Sequence, residues 1–342
     1  MGDSQKPIVV AVIGAGHMGR HHARVYAQLD ECRLAAIVDK DLDRARTSAV
    51  EHGGIALRDA SDLPGEVQAV SVAVPTVYHA EVAIPLLARG VAVLVEKPIA
   101  PDSATARQLV DAARKHGALL QVGHSERFNP VVKAMLRMEV TPRFIETNRI
   151  SPFTFRSADI GVVFDMMIHD IDIVLHLARQ RECTIDAVGV PVLGKCEDVA
   201  NARLRFANGV VANLIASRLA LKTDRRIRVF CPTAYLSMDY RSKSGIAIKL
   251  ADNLDLIRIA KERNFEDLSQ MAAMDFGSML KIEPLSVDAV EPLRAEISAF
   301  LDSVRTGRDR GVTAEEGFAA VELAERITQA IQSQDWRVDV PG

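Results

Sequence analysis

The chain has 342 residues, of which 48% are hydrophobic and 25% charged, and 42 basic against 45 acidic side chains leave a formal net charge of −3. That length suggests about two domains, and the near balance of charge argues against a nucleic-acid binder, whose affinity rests on excess Lys and Arg. No apolar run approaches the ~18 residues that cross a bilayer, and the stretch Ile8–Ile13 breaks at once into glycines, too short for a signal-peptide core. Cys32, Cys183, Cys196 and Cys231 are scattered without a CxxC pair, which predicts free thiols in a reducing cytoplasm and no structural metal.

The first 122 residues alternate short apolar runs with helical patterns. Strands are expected at Ile8–Ile13, Arg33–Val38, Gln68–Val74, Val91–Val95 and Ala118–Val122, each apolar on both faces as in a covered parallel sheet. Helices are expected at Met18–Gln28, Asp41–His52, Tyr78–Arg89 and Asp102–His116, the last with an N-cap Asp and a following Gly117. This alternation predicts an α/β Rossmann domain, a doubly wound parallel sheet, over residues 1–122.

The grammar changes after Gly123. One apolar helix is expected at Val163–Leu177, then consecutive strands at Thr184–Leu193, Val199–Phe206, Val210–Ser217, Arg226–Cys231 and Tyr235–Tyr240. Asn208-Gly209 between two alternating runs is a hairpin turn. Residues 123–342 therefore read as a C-terminal α+β domain with a large, mostly antiparallel open sheet. Residues 251–288 show no period. Helices Val290–Arg305 and Ala314–Ser333 close the chain, the C-terminal one free to pack back on the first domain.

Three features carry chemistry. Gly14-Ala15-Gly16-His17-Met18-Gly19 links the first strand to the first helix, and Asp39 ends the second strand twenty residues after Gly19. The glycines permit a tight turn and close approach of a pyrophosphate, and the helix N-terminus offers amides to it. Asp39 can accept from the ribose hydroxyls and would repel a 2′-phosphate, so the expected cofactor is NAD, with Lys40 beside it leaving room for the phosphate of NADP. Glu96-Lys97-Pro98 ends the fourth strand at the carboxyl edge, where open α/β sheets bind ligands. Finally, Asp165, His169, Asp172 and His176 recur at helical spacing in an otherwise apolar helix interrupted only by Asp170. A solvated face usually carries Lys, Glu and Arg. Asp and His one turn apart can instead fix a tautomer and raise imidazole basicity, the alternatives being a plain solvated face or a metal site.

Together with Val74-Pro75-Thr76 and His79, these motifs resemble the Gfo/Idh/MocA oxidoreductase family. The resemblance implies hydride transfer between a sugar or polyol and NAD, oligomerisation through the C-terminal sheet as a dimer or tetramer, and a cis Lys97–Pro98 bond. It also implies cofactor contacts from Gly14, Gly16, His17, Met18, Gly19, Asp39, Pro75, Thr76, His79, Glu96 and Lys97. The run from Gly123 to Pro130, containing Arg127 and Asn129, the run Ser151–Ser157, the run Asp198–Leu204 and Ser217-Arg218 resemble more finely the branch that oxidises C3 of UDP-N-acetylglucosamine. That branch supplies an aminotransferase making 3-amino sugars for lipid A or surface glycans.

A nucleotide diphosphate needs cations, and Arg127, Arg149, Arg156 and Arg218 are the candidates, because Arg pairs phosphate oxygens bidentately. Arg156 ranks first, as it precedes the Asp/His helix. The expected chemistry has His169 taking the hydroxyl proton, Asp165 orienting it, and Lys97 stabilising the developing alkoxide, with Lys97 and His169 able to exchange roles. Asn129 is expected at the substrate with these groups. A free sugar or polyol as substrate, and a non-catalytic NAD-binding regulator, are the alternatives.

Overall fold

The structure, a computed structural model, describes residues 6–153, 160–193, 195–250 and 282–333. The chain divides into two units, one formed by Met1–Phe128 with Val290–Arg326 and the other by Asn129–Ala289 with Ile327–Gly342. The first unit is thus discontinuous in sequence. Its boundary falls at residue 128, past the expected 122, because Ser125–Phe128 forms a short 3-10 turn that packs on the helix of residues 292–306.

In the first unit, β1 (Ile8–Ile13), β2 (Cys32–Val38), β3 (Ile55–Leu57), β4 (Ala69–Val72), β5 (Ala92–Glu96) and β6 (Leu120–Gly123) are parallel. The sheet order is β15-β6-β5-β4-β1-β2-β3, with β15 (Val312–Thr313) antiparallel on the β6 edge. The order reverses at β1, the switch point at which such sheets bind ligands. The central strands β1, β4 and β5 are nearly continuous buried apolar runs, with Ser71 and the terminal Glu96 as their polar members, as a sheet covered on both faces requires. Connecting helices are α1 (His17–Ala27), α2 (Leu42–His52), α3 (His79–Ala88) and α4 (Ser103–His116). Asp102 caps α4 by accepting from the Thr105 amide at 2.7 Å, and Gly117 closes it in the left-handed region. Leu293, Ile297, Phe300 and Leu301 of the later helix α7 (Pro292–Thr306) complete a core with Val10, Val12, Tyr26, Ile37 and Leu94.

In the second unit, α5 (Pro130–Leu136) precedes β7 (Phe144–Ile150), and α6 (Ile168–Ala178) follows a π-helical turn over Val163–Met167. Strands β8 (Cys183–Val190), β9 (Val199–Phe206), β10 (Val211–Ser217), β11 (Asp224–Phe230), β12 (Ala234–Asp239), β13 (Ser244–Lys249) and β14 (Ile282–Pro284) complete an eight-stranded sheet. Its order is β14-β13-β12-β11-β7-β10-β9-β8, antiparallel except for β7 beside β10. Helix α6 packs on β7 and β10. The last helix, α8, spans Ala314–Gln332. No helix among the described residues is long and apolar enough to cross a membrane.

Two arginines are buried among the described residues of this second unit. Arg149 on β7 points Nε and Nη2 at the two oxygens of Asp170 on α6, both at 2.9 Å, with the pair 3% and 1% exposed. Arg218 points Nε at Asp198 Oδ1 at 2.5 Å and Nη1 at the Ile160 carbonyl at 2.7 Å. Removing one partner of such a pair strands the other charge in a medium that cannot solvate it. Asp170→Ala should therefore cost about 3–5 kcal/mol of stability, read as a lowered denaturant midpoint.

Candidate active site

The glycine loop is shaped by backbone crowding. Gly14 has φ +97°, and a Cβ there would lie 2.6 Å from the Ala73 carbonyl oxygen. At Gly19 a Cβ would lie 1.6 Å from the Gly14 oxygen, so only glycine lets α1 meet β1 this closely. Gly16 differs: nothing in the protein lies within 4 Å of its missing Cβ. The α1 N-terminus has no side-chain cap and no acid in its first turn. Open space beside uncapped amides at a positive dipole end fits a dinucleotide pyrophosphate. His17 is exposed and Met18 half-buried on that first turn. Asp39, half-buried just past β2, takes the Ala15 amide on Oδ2 at 2.7 Å and the Asp41 amide on Oδ1 at 2.9 Å. It thereby ties the glycine loop to the β2 edge while remaining an acceptor for ribose hydroxyls.

The β4 and β5 ends lie beside this loop. Pro75 is exposed and Thr76 half-buried. His79, expected to touch the cofactor, is 1% exposed. Its Nε2 lies 3.0 Å from the Val74 carbonyl and its Nδ1 lies 3.1 and 3.2 Å from those of Pro98 and Ile99. Burial holds its imidazole below the ordinary histidine value against these carbonyls. His79 is thus a staple joining two ligand-edge loops. The Lys97–Pro98 bond is cis, and Lys97 is half-buried at the strand end.

Glu96 is also largely enclosed, at 9% exposed. Its Oε1 receives His22 Nε2 at 2.8 Å, His22 Nδ1 lies 2.9 Å from Ser71 Oγ, and that oxygen lies 2.8 Å from the Tyr26 hydroxyl. A neutral Nε2–H tautomer satisfies the chain, with Tyr26 donating to Ser71 and Ser71 to His22. Burial raises the Tyr26 pKa, which keeps its proton in place as donor. Burial pushes the Glu96 carboxyl up, but His22 and Lys97 outweigh it and hold the group below the usual carboxylate value. Glu96 Oε2 also accepts the Lys97 amide at 3.3 Å, so this relay fixes the backbone that carries the lysine. Sequence reasoning missed His22, Ser71 and Tyr26. The signal was Ser71, the one polar residue in the buried β4 run of Ala69–Val72.

In the second unit, Asp165 stands in the π-helical turn and His169 in the first turn of α6, both half-buried. π-Turns often mark functional positions. The expected four-residue stripe is not one exposed face, since Asp172 is 2% exposed and His176 is exposed. The wider π-turn and the packing of α6 on the sheet divide it, leaving Asp165 and His169 as the accessible pair.

The arginines also differ from expectation. Arg149 and Arg218 are bound to buried carboxylates, and Arg127 Nη1 lies 3.1 Å from Glu316 Oε1, at 11% exposed. Their charge is already met, which weakens each as a diphosphate ligand. Asn129, 4% exposed, caps α5 by accepting the Val131 amide and donates to the Tyr240 carbonyl, a structural task. Arg156 lies outside the described residues.

Two family profiles match the chain: an oxidoreductase family with an NAD-binding Rossmann fold over residues 8–124, and the GFO/IDH/MocA C-terminal domain over residues 135–237. A UDP-N-acetylglucosamine 3-dehydrogenase of Acidithiobacillus ferrooxidans is 38% identical over 230 residues, covering 67% of this chain and 73% of that one. The solved structure of UDP-N-acetylglucosamine 3-dehydrogenase GnnA from that organism aligns with TM-score 0.83 at 30% identity, over 96% of this chain and 99% of the other. An inositol 2-dehydrogenase of Streptomyces avermitilis is 25% identical over 95% of this chain and 92% of its own length.

The second and third glycines of the loop should respond differently. Gly16→Ala should leave the thermal midpoint unchanged and weaken NAD binding in a calorimetric titration, whereas Gly19→Ala should lower the midpoint itself. The depressed Glu96 pKa contributes stability that is present above the unfolded carboxyl value of 4.5 and is lost as pH falls through the lower folded value. His22→Ala removes its partner, so acid unfolding followed by circular dichroism should move to higher pH.

Proposed function

The chain belongs to the Gfo/Idh/MocA family of NAD-binding oxidoreductases, an NAD-dependent sugar dehydrogenase by family and relatives, and from that premise we propose that its substrate is UDP-N-acetylglucosamine, oxidised at the C3 hydroxyl. The observation that carries this reading is the 38% identity to a UDP-N-acetylglucosamine 3-dehydrogenase over two thirds of the chain. The residues present fit the cofactor: the open cradle at Gly16, the uncapped α1 amides and Asp39 would hold NAD. NAD, when bound, supplies a ring carbon that accepts hydride.

The chain's own residues do the rest. His169 accepts the proton of the C3 hydroxyl. Asp165, one turn earlier, orients the imidazole and stabilises its cation. Lys97 is the second acid–base group of this reading, its ammonium suited to lowering the energy of negative charge that develops on the substrate. Lys97 and His169 can exchange these parts. Of the four candidate arginines, Arg156 carries the proposal for the diphosphate, since Arg127, Arg149 and Arg218 face carboxylates. The product is a ketone on a nucleotide sugar, a substrate for an aminotransferase that would place nitrogen at C3.

The outer face of the second sheet supports self-association. Phe144, Phe230 and Tyr235 are half-buried there with ring centroids 5.5 and 5.0 Å apart along β7, β11 and β12. We propose that two or four copies pair through this sheet in the cytoplasm. Sedimentation velocity should show a dimer or tetramer, and a monomer at all concentrations would refute the pairing.

A second reading, a free polyol as substrate, draws on the inositol 2-dehydrogenase relative. NADH formation with UDP-N-acetylglucosamine and not with myo-inositol supports the first reading, and the reverse supports the second. NAD binding without reduction by either sugar class would favour a regulator. Lys97→Ala and His169→Ala should each lower turnover by about 10²–10⁴-fold, the range for acid–base groups. Near wild-type rates in both would refute the mechanism. Arg156→Ala should raise KM for the nucleotide sugar and leave NAD affinity unchanged.

A further inference from the structure

The helix that carries Asp165 and His169 begins without a cap of its own. Its entry reads Gly161-Val162-Val163-Phe164-Asp165, and the N-cap Val162 offers no side-chain acceptor. The first amides of a helix need acceptors, and here another strand's leader provides them. The Glu197 carbonyl accepts the Val162 amide at 3.0 Å, and Glu197 Oε1 accepts that of Val163 at 3.2 Å. Glu197 is 9% exposed, so this carboxylate is largely shielded from water beside the positive end of the helix.

The next residue extends the grip. Asp198 accepts the Val192 and Leu193 amides at 2.7 and 2.6 Å on one oxygen, and the other accepts Arg218, whose Nη1 holds the Ile160 carbonyl. Ile160, Val162 and Val163 are therefore each fastened to Glu197, Asp198 or Arg218. The first helical bond of Asp165, from its amide to the Gly161 carbonyl at 3.0 Å, starts inside this fastened segment. The residue type at 161 fits the same device. A Cβ on Gly161 would lie 2.0 Å from Glu197 Oε1 and 2.4 Å from its Cδ, and Gly161 is absent from the positive-φ glycines. Glycine is needed there to admit the carboxylate, not to turn the backbone.

We propose that Glu197 is a positioning residue for the Asp165–His169 pair, acting as a cap supplied from the segment that leads into a distant strand and setting where the π-helical turn places Asp165. The inference rests on the catalytic reading of that pair. Glu197 touches neither substrate nor cofactor in this account. Its effect passes through the two amides it holds, and misplacing a catalytic group by about 1 Å can cost on the order of 10²-fold in rate.

Four variants test it: Glu197→Ala, Glu197→Gln, Gly161→Ala and the double variant Gly161→Ala/Glu197→Ala, with His169→Ala as the control. Turnover of UDP-N-acetylglucosamine, KM for NAD and the thermal midpoint are measured for each. Glu197→Ala should lower kcat by about 10–100-fold with KM for NAD within twofold of wild type. Glu197→Gln keeps an acceptor for the Val163 amide and should stay within about threefold. Gly161→Ala pushes the carboxylate off that amide and should mimic Glu197→Ala. The double variant should be no slower than Glu197→Ala alone, because the two changes remove one contact. Wild-type kcat in Glu197→Ala, or losses that multiply in the double variant, overturns the proposal. If Glu197→Ala does not fold, a folded Gly161→Ala protein with wild-type kcat overturns it equally. Full activity in His169→Ala would instead refute the catalytic reading beneath it.

Discussion

The hydrogen bond between His22 and Glu96, at 2.8 Å and largely shielded from water in the first unit, is the contact on which the carboxyl edge of its sheet depends. It joins the helix that follows the glycine loop to the strand that delivers Lys97. A carboxylate enclosed to this extent is costly to bury unless it is met, and the relay from Tyr26 through Ser71 to His22 meets it without leaving a donor idle. Cofactor cradle and lysine are thus parts of one hydrogen-bonded assembly. His79 adds a second brace from the β4 end to the cis-proline loop.

The second unit solves a different problem with the same means. Its helix α6 lies on a sheet whose covered face includes Thr147 and Arg149 as well as Ile145. The buried Arg149 demands an acid at one position on the helix, and Asp170 fills it, so the fit of helix to sheet is directional and not merely greasy. Arg218 and Asp198 do likewise at the start of that helix. Charges that could have served a ligand instead set the angle and depth at which the Asp165–His169 segment sits on the sheet.

Much of this was legible in the sequence, and the exceptions have causes. Strands β1 and β9 are matched residue for residue, because continuous or alternating apolar runs leave little choice of bounds. The glycine loop, Asp39 and Lys97 were legible because their spacing is tied to strand ends. Strand β7 escaped, since its inward residues Ile145, Thr147 and Arg149 include two polar side chains and disguise the alternation. β3, with three residues, is too short to show a period. The carboxylate partners of Arg127, Arg149 and Arg218 were not legible, because a guanidinium awaiting phosphate and one answering an acid look alike in one dimension. Asp170, the one acid of its helix outside the expected Asp/His stripe, was the available clue that a cation lay opposite.

The two-residue strand β15 and the helix before it have a consequence for biosynthesis. Residues 290–326 fill the core of the first unit and close its β6 edge, yet they are translated after the whole of the second unit's sheet. A ribosome releasing the chain exposes the nucleotide fold early and finishes it late. Until Phe300 and Val312 emerge, the nascent sheet has an open flank and an unfilled cavity beside Tyr26. Folding of the cofactor half is therefore coupled to completion of the polypeptide, and a prematurely terminated chain would lack a finished NAD-binding half.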